Sequence, residues 1–184
     1  MAARKTAFLD RDGTLIWDRP GFYLRHPGQL RLYRGTVPAL RMLRKAGYRL
    51  VVVTNQSGIG RGFLDRAMLA RIHALLRRKL ARSGVRLDGI YFCPHAPDVP
   101  CRCRKPSPHL ARKAARELGL NLKGAVMIGD KRADVEMARR LGIASIHLGT
   151  GHGRLVRAER GASLGATHRS RDILGAAKWL TRHR

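Results

Sequence analysis

The sequence predicts an α/β fold, a three-layer sandwich in which helices cover both faces of a central, mostly parallel sheet. Short apolar runs alternate along the chain with longer amphipathic segments, which is the order of strands and crossover helices in a parallel sheet. The runs at 50–53 and 125–128 contain no polar residue, as expected for strands that are buried on both faces.

Five strands are expected, in short segments that are mostly apolar. We place them near 6–10, 50–54, 89–92, 125–129 and 144–148. The segments between and after them predict five helices, near 36–46, 64–82, 108–118, 131–141 and 172–181. The segment 64–82 is the clearest, because Leu69, Ile72 and Leu76 recur at helical spacing and define a core face.

Residues 1–184 are interpreted as one domain. The stretch between Asp12 and Thr54 is too short to hold a large inserted cap domain as well as a helix, so we expect none. The segment 150–165 is rich in Gly and Arg and is interpreted as a flexible surface connection.

The composition indicates a globular protein, with 44% hydrophobic and 27% charged residues. No apolar run approaches the ~18 residues of a membrane span, and the N-terminus leads directly into a strand rather than a signal peptide. We therefore expect a cytoplasmic protein with no membrane partner. The 38 Lys and Arg against 12 Asp and Glu give a net charge of +26, which attracts polyanions non-specifically. These basic residues are dispersed, so a solvated surface on a monomer is expected.

Asp10 and Asp12 stand where the first strand meets a Gly turn. In an extended backbone they point to the same side, and two such carboxylates repel each other unless a cation lies between them. A hard divalent ion such as Mg²⁺ takes oxygen ligands of this kind. The pair also offers one group to attack and one to move protons. A polar turn is the alternative, since Asp-Gly is a common turn signal.

The second and fourth strands end in groups that suit a phosphate. Thr54, Asn55, Gln56 and Ser57 offer hydroxyl, amide and backbone donors, unless they form an ordinary polar loop.

At the end of the fourth strand, Asp130 can complete a Mg²⁺ site with Asp10 and Asp12, and Lys131 follows it. Asp134, one turn later, either orients that site or favours the helix N-terminus. The sequence leaves both readings of Asp134 open.

All three cysteines lie in one Pro-rich stretch, at Cys93, Cys101 and Cys103, with His95 among them. Three thiolates and one imidazole make a closed tetrahedral set, which is typical of structural Zn²⁺. An odd cysteine count in a chain expected to be cytoplasmic argues against disulfides. The alternative is a loop of free thiols with a chance histidine.

Arg104 and Lys105 follow this loop directly. They can hold a phosphate, Arg by a bidentate fork and Lys as a point charge. In a chain this basic, two ordinary surface cations are the alternative, but the neighbouring motifs favour phosphate binding.

Together, the Asp-x-Asp, Thr, Lys and Gly-Asp motifs resemble those of the haloacid dehalogenase (HAD) superfamily of phosphatases, over residues 6–150. With the cysteine loop they look like the D,D-heptose 1,7-bisphosphate 7-phosphatases. The histidinol-phosphate phosphatases are a close sister group with the same loop. The resemblance implies an uncapped HAD-like fold with Mg²⁺ for chemistry and Zn²⁺ for structure.

The resemblance also implies roles for single residues. Asp10 is expected to be the nucleophile that forms an aspartyl-phosphate, and Asp12 the general acid and base. Asp10, the Asp12 backbone carbonyl and Asp130 are expected to hold Mg²⁺.

For the substrate, the resemblance implies that Thr54 and Lys105 stabilise the transferring phosphoryl group. Arg104 is expected to contact the far end of the substrate, and Lys131 to neutralise carboxylates or contact substrate. A substrate loop is expected near 18–23.

The preferred function is therefore hydrolysis of the 7-phosphate of a heptose bisphosphate, a phosphorylated sugar. Histidinol phosphate is the first alternative substrate. A nucleic-acid 3′-phosphatase is less favoured, because aromatic residues are only 5% of the chain. A zinc-dependent nucleic-acid-binding module without catalysis leaves the three aspartates unexplained.

Overall fold

The computed structural model describes residues 5–154 and 164–183. Within them, six strands form one sheet in the order β3-β2-β1-β4-β5-β6, and neighbouring strands pair in parallel. The strands are β1 (Thr6–Leu9), β2 (Arg49–Asn55), β3 (Gly89–Cys93), β4 (Val126–Gly129), β5 (Ala144–Leu148) and β6 (His168–Ser170).

Helices cover both faces of the sheet. They are α1 (Thr36–Lys45), α2 (Ser57–Gly60), α3 (Arg66–Ala81), α4 (His109–Leu118), α5 (Arg132–Leu141) and α6 (Ile173–Arg182). None of these helices is long and apolar enough to cross a membrane. Apolar residues of α1, α3 and α6 form one core cluster, and those of α4 and α5 form another. Adjacent strand residues alternate between the clusters, with Leu9 in the first and Phe8 in the second. The predicted three-layer sandwich is confirmed.

All expected strands and helices are present, with ends displaced by no more than two residues. Two elements, β6 and α2, were not predicted from the sequence. β6 is a three-residue strand at the sheet edge with no apolar residue, so it carries no hydrophobic pattern. α2 is a four-residue turn of helix with the sequence Ser-Gly-Ile-Gly, which has poor intrinsic helix propensity.

As predicted, the part of the chain that the structure describes holds no large cap. Between β1 and β2 the chain forms loops, a 3-10 turn (Pro27–Gln29) and α1. The interpretation of 150–165 as a surface connection is wrong at its start, because Thr150, Gly151 and Gly153 are buried. Residues 155–163 of that segment lie outside the described residues.

Candidate active site

Three central strands deliver the candidate catalytic groups to one edge of the sheet. Asp10 follows β1, Thr54 lies at the end of β2, and Asp130 follows β4. Since β1 lies between β2 and β4, the three side chains are brought together. The strand order reverses direction at β1, and open α/β sheets bind ligands at such a point.

The Asp10 carboxylate is buried and charged. Its Oδ1 lies 2.9 Å from the Lys105 ammonium and accepts the backbone N–H of Arg11 at 2.8 Å. Its Oδ2 lies 3.6 Å from Lys131 Nζ. Burial raises the pKa of Asp10, but the two ammonium groups outweigh burial and hold the pKa at about 2. A buried carboxylate that stays ionised at neutral pH suits a nucleophile.

Lys105 is fixed by partners on every side. Besides Asp10, its ammonium donates to Asp134 Oδ1 at 2.6 Å and to the Val53 carbonyl at 2.8 Å. Its backbone N–H donates to Asn55 Oδ1 at 2.9 Å, and the Asn55 amide donates to the Lys105 carbonyl at 3.1 Å. Asn55, which was expected to bind phosphate, therefore positions Lys105.

Asp10, Asp130 and Asp134 form a buried acidic cluster, in which one oxygen from each lies within 4.8 Å of the others. Burial, together with the charges of Asp10 and Asp134, raises the pKa of Asp130 to about 8. A Cβ on Gly13 or on Gly151 would collide with the Asp130 carboxylate, so both positions require glycine. A hard divalent cation fits this donor set, because it relieves the repulsion among the carboxylates.

The Asp12 side chain is turned towards Arg11 and Gln56 instead of joining that cluster. Arg11 Nη2 donates to Asp12 Oδ1 at 3.0 Å, and the Gln56 amide donates to Asp12 Oδ2 at 2.6 Å. Gln56 also accepts from Arg11 Nη2 at 2.7 Å and donates to Thr54 Oγ1 at 3.0 Å. The carboxylate is thus held in one orientation by a closed ring of hydrogen bonds.

A cavity of about 440 Å³ opens beside Asp12. It is lined by six of the seven residues that were expected to bind substrate: Asn55, Gln56, Ser57, Arg104, Lys105 and Lys131. The seventh, Thr54, is buried beneath them. Six of the residues predicted from the sequence therefore face one cavity.

Sequence reasoning missed His152 in the wall of this cavity and gave no separate role to Asp18. His152 donates its backbone N–H to Asp130 Oδ2 at 2.8 Å, and its Nε2 lies 3.7 Å from Asp18 Oδ2. Burial, followed by the Asp12 charge, raises the pKa of Asp18 to about 6. The Gly-Thr-Gly-His-Gly run after β5 was the available signal for His152.

Arg11 and His73 were missed as well. Arg11 is 1% exposed, although it lies between two acids that were singled out. His73 Nε2 lies 3.0 Å from Arg11 Nη1, across 62 positions of sequence. A lone histidine in an amphipathic helix gives no sequence signal of such a contact.

The cysteine loop forms a second candidate metal site. Ligand atoms of Cys93, His95, Cys101 and Cys103 all lie within 4.8 Å of one another. Sγ of Cys93 is 3.5 Å from His95 Nδ1 and 3.7 Å from Cys101 Sγ, and Cys103 Sγ is 3.3 Å from His95 Nδ1. Ligands around tetrahedral Zn²⁺ are separated by about 3.8 Å for two sulfurs and about 3.6 Å for sulfur and nitrogen. The four residues fit that ion.

Comparison with known proteins identifies the family. The HAD-hydrolase-like family model matches residues 102–177. The D-glycero-beta-D-manno-heptose-1,7-bisphosphate 7-phosphatase of Bordetella bronchiseptica is 37% identical over 176 residues, which are 96% of this chain and 97% of that protein. The chain belongs to the heptose-1,7-bisphosphate 7-phosphatase family of HAD-like hydrolases. The family member from Pseudomonas putida is 38% identical over 149 residues, 81% of this chain and 85% of its own.

A solved structure of the family supports the same assignment. The crystal structure of D,D-heptose 1,7-bisphosphate phosphatase from B. bronchiseptica, complexed with magnesium and phosphate, superposes with a TM-score of 0.89. It is 36% identical, and the match covers 98% of this chain and 99% of that one. The whole described fold is therefore that of the family.

In this member of the heptose bisphosphatase family, backbone hydrogen bonds join the cysteine loop to the residues that follow β2. The Gln56 N–H donates to the Cys93 carbonyl at 2.7 Å, and the Gly60 N–H donates to the Pro94 carbonyl at 2.8 Å. A Cβ on Gly60 would collide with the backbone of Ala96, so the close approach requires glycine. The shape of the loop thus bears directly on the position of α2 and Gln56.

Proposed function

We propose that this chain hydrolyses the 7-phosphate of D-glycero-D-manno-heptose 1,7-bisphosphate by way of an aspartyl-phosphate on Asp10. The observation that carries the proposed reaction is the buried, charged Asp10 carboxylate, which pairs with Lys105 and Lys131, two residues that line the same cavity as Asp12. The proposed substrate is the one that the relatives from B. bronchiseptica and P. putida are named for.

In the first step, an Asp10 oxygen attacks phosphorus and the bond from phosphorus to the sugar oxygen breaks. Asp12 donates its proton to that leaving oxygen. In the second step, Asp12 takes a proton from water, whose oxygen attacks the phosphorus of the aspartyl-phosphate. Phosphate leaves and the Asp10 carboxylate is regenerated, so both residues return to their starting states.

For the divalent cation, we propose that Asp10, the Asp12 backbone carbonyl and Asp130 hold Mg²⁺. When bound, Mg²⁺ offsets negative charge on the transferring phosphoryl group. Asp134, the third member of the acidic cluster, accepts from Lys105 and from the backbone N–H of Lys131 at 3.1 Å. These contacts suit a residue that orients Lys105 beside the cation.

For the substrate, we propose that Thr54, Ser57, Lys105 and Lys131 contact the reacting phosphate. Arg104 also lines the cavity, and its guanidinium suits the second phosphate of a bisphosphate. The phosphate contacts expected of Asn55 and Gln56 remain proposals. The hydrogen bonds of both side chains also support positioning roles, Asn55 for Lys105 and Gln56 for Asp12.

For the cysteine loop, we propose a structural Zn²⁺ on Cys93, His95, Cys101 and Cys103. Four protein ligands complete a tetrahedral site, so this ion stabilises the loop and takes no part in the reaction. A single domain, a cytoplasmic location, a monomeric state and non-specific polyanion binding remain predictions.

The test is Mg²⁺-dependent phosphate release from D,D-heptose 1,7-bisphosphate, histidinol phosphate and a 3′-phosphorylated oligonucleotide, with Asp10→Asn as the blank. We expect the heptose to be turned over with the highest kcat/KM and Asp10→Asn to be inactive. Preference for histidinol phosphate would overturn the substrate and keep the mechanism. Activity that persists in Asp10→Asn would overturn the mechanism.

A further inference from the structure

Arg11 is a fully buried cation whose hydrogen bonds hold the proposed acid/base residue. Nε and Nη2 of Arg11 lie 3.0–3.2 Å from the two oxygens of Asp12, and Nη2 also donates to Gln56. A guanidinium is planar and rigid, so fixing one of its nitrogens fixes the others. The remaining nitrogen, Nη1, lies on the side away from Asp12 and faces His73.

His73 is the acceptor at that nitrogen. Arg can only donate hydrogen bonds, so the 3.0 Å contact requires His73 Nε2 to accept and the imidazole proton to lie on Nδ1. Burial and the Arg11 charge lower the pKa of His73 to about 3, so the ring is neutral over the working range. A neutral acceptor is the state that this contact needs.

The ring of His73 is itself held by packing. It is buried on α3, beside Leu69, Ile72 and Leu76, which lie in the core. On its other side it meets Phe92 of β3 edge to face, with ring centroids 5.8 Å apart. Helix α3 therefore presents a fixed acceptor to Arg11.

We propose that His73 is a positioning residue for proton transfer: by accepting from Arg11, it fixes the guanidinium that orients the Asp12 carboxylate. This inference rests on the proposed function, in which Asp12 protonates the leaving oxygen and then deprotonates water. Without the acceptor, the buried Nη1 donor is unsatisfied, and Arg11 must turn or draw in water. Asp12 is then less well aligned for proton transfer, whereas Asp10 keeps its own contacts with Lys105 and Lys131.

The test compares two nearly isosteric variants, His73→Gln and His73→Met. The Gln amide oxygen can take the place of Nε2 as an acceptor, whereas the Met thioether is a poor acceptor. With heptose bisphosphate, whose leaving group needs a proton, we expect kcat of His73→Met to fall about tenfold with KM changed less than about twofold. His73→Gln is expected to stay within about threefold of the parent chain.

A second substrate isolates the proton-transfer step. The p-nitrophenolate group leaves p-nitrophenyl phosphate without a proton, so the first turnover does not depend on Asp12 as an acid. In a rapid-mixing experiment, His73→Met should release its first equivalent of p-nitrophenolate at the parent rate and then turn over slowly, giving a burst. Ile72→Val, a core change at the neighbouring residue, controls for lost stability and should alter neither rate.

Several results would overturn the proposal. One is equal kcat for His73→Met and His73→Gln on heptose bisphosphate. Another is a first turnover of p-nitrophenyl phosphate that slows as much as the sugar reaction does. If His73→Met unfolds, His73→Leu takes its place in the same comparison. If the parent chain hydrolyses neither substrate, the proposed function has failed. Failure of the His73 proposal is a different result, because the parent chain is then active.

Discussion

The Lys105 ammonium lies 2.6 Å from Asp134, and both side chains are buried. Asp134 also accepts the Lys131 N–H with its second oxygen, at the start of α5. Asp134 therefore lies at a helix N-terminus, as one of the two sequence readings had it, and holds Lys105; its orienting role at the proposed Mg²⁺ site stays a prediction. Through Lys105 it reaches Asp10, so a chain of charges connects α5 to the proposed nucleophile.

Asp134→Asn should destabilise the folded protein. The substitution keeps the size of the side chain but removes one acceptor oxygen, so either the Lys105 ammonium or the Lys131 N–H loses its buried partner. We expect the free energy of unfolding to fall by about 2–3 kcal/mol. Urea unfolding at pH 7 measures it.

The matched control is Glu136→Gln on the same helix, whose partner Arg132 is 3.9 Å away and largely exposed. It should cost less than about 0.5 kcal/mol. Equal losses for the two variants would contradict the importance of the buried pair.

The pH dependence of stability should report on Asp18. Its folded pKa is raised to about 6, above the ordinary value of 3.8. The stability linked to this shift is fully present below pH 3.8 and is lost as pH rises through 6, because the unfolded chain ionises first. Asp18→Asn removes the effect, so its free energy of unfolding should rise by about 1–2 kcal/mol relative to that of the parent chain between pH 4 and 7. Solvent at the cavity mouth screens part of the full shift.

Unfolding curves of both chains at pH 4, 5, 6 and 7 give this difference directly. Because other titrating groups are common to the two chains, only the change in the difference with pH counts. A difference that stays constant from pH 4 to 7 would show that Asp18 has an ordinary pKa.

Cys101→Ser should weaken the cysteine loop without touching Asp10. A serine hydroxyl is a poor replacement for a thiolate ligand, so we expect bound zinc to fall well below one per chain and the thermal midpoint to drop. Elemental analysis and thermal unfolding measure these effects. Asp98→Asn, an exposed change in the same loop, is the control and should alter neither quantity. A parent chain that contains no zinc and a Cys101→Ser midpoint equal to the parent's would refute the site.

The strand ends were predictable from sequence because each signal is local. A buried apolar run followed by acid, hydroxyl or Gly marks Asp10, Thr54 and Asp130 without knowledge of the rest of the fold. The Arg11 and His73 contact was not predictable, since it depends on how α3 packs against the sheet. β6 was not predictable either, because a polar edge strand is defined by the neighbour that it pairs with.

Gly151 was misinterpreted from the local sequence. Its position in a Gly-rich run suggested a surface connection, yet a Cβ there would collide with the Asp130 carboxylate and with Gly13 Cα. Gly151→Ala should therefore displace a proposed Mg²⁺ ligand and raise the Mg²⁺ concentration for half-maximal activity by at least about tenfold. Gly47 has a larger positive φ, +83° against +51° for Gly151, but a Cβ there meets no atom within 4 Å, so Gly47→Ala carries the backbone strain alone. Phosphate release against Mg²⁺ concentration separates them: a shift in Gly151→Ala with none in Gly47→Ala assigns the effect to the metal site, and equal shifts would assign it to strain.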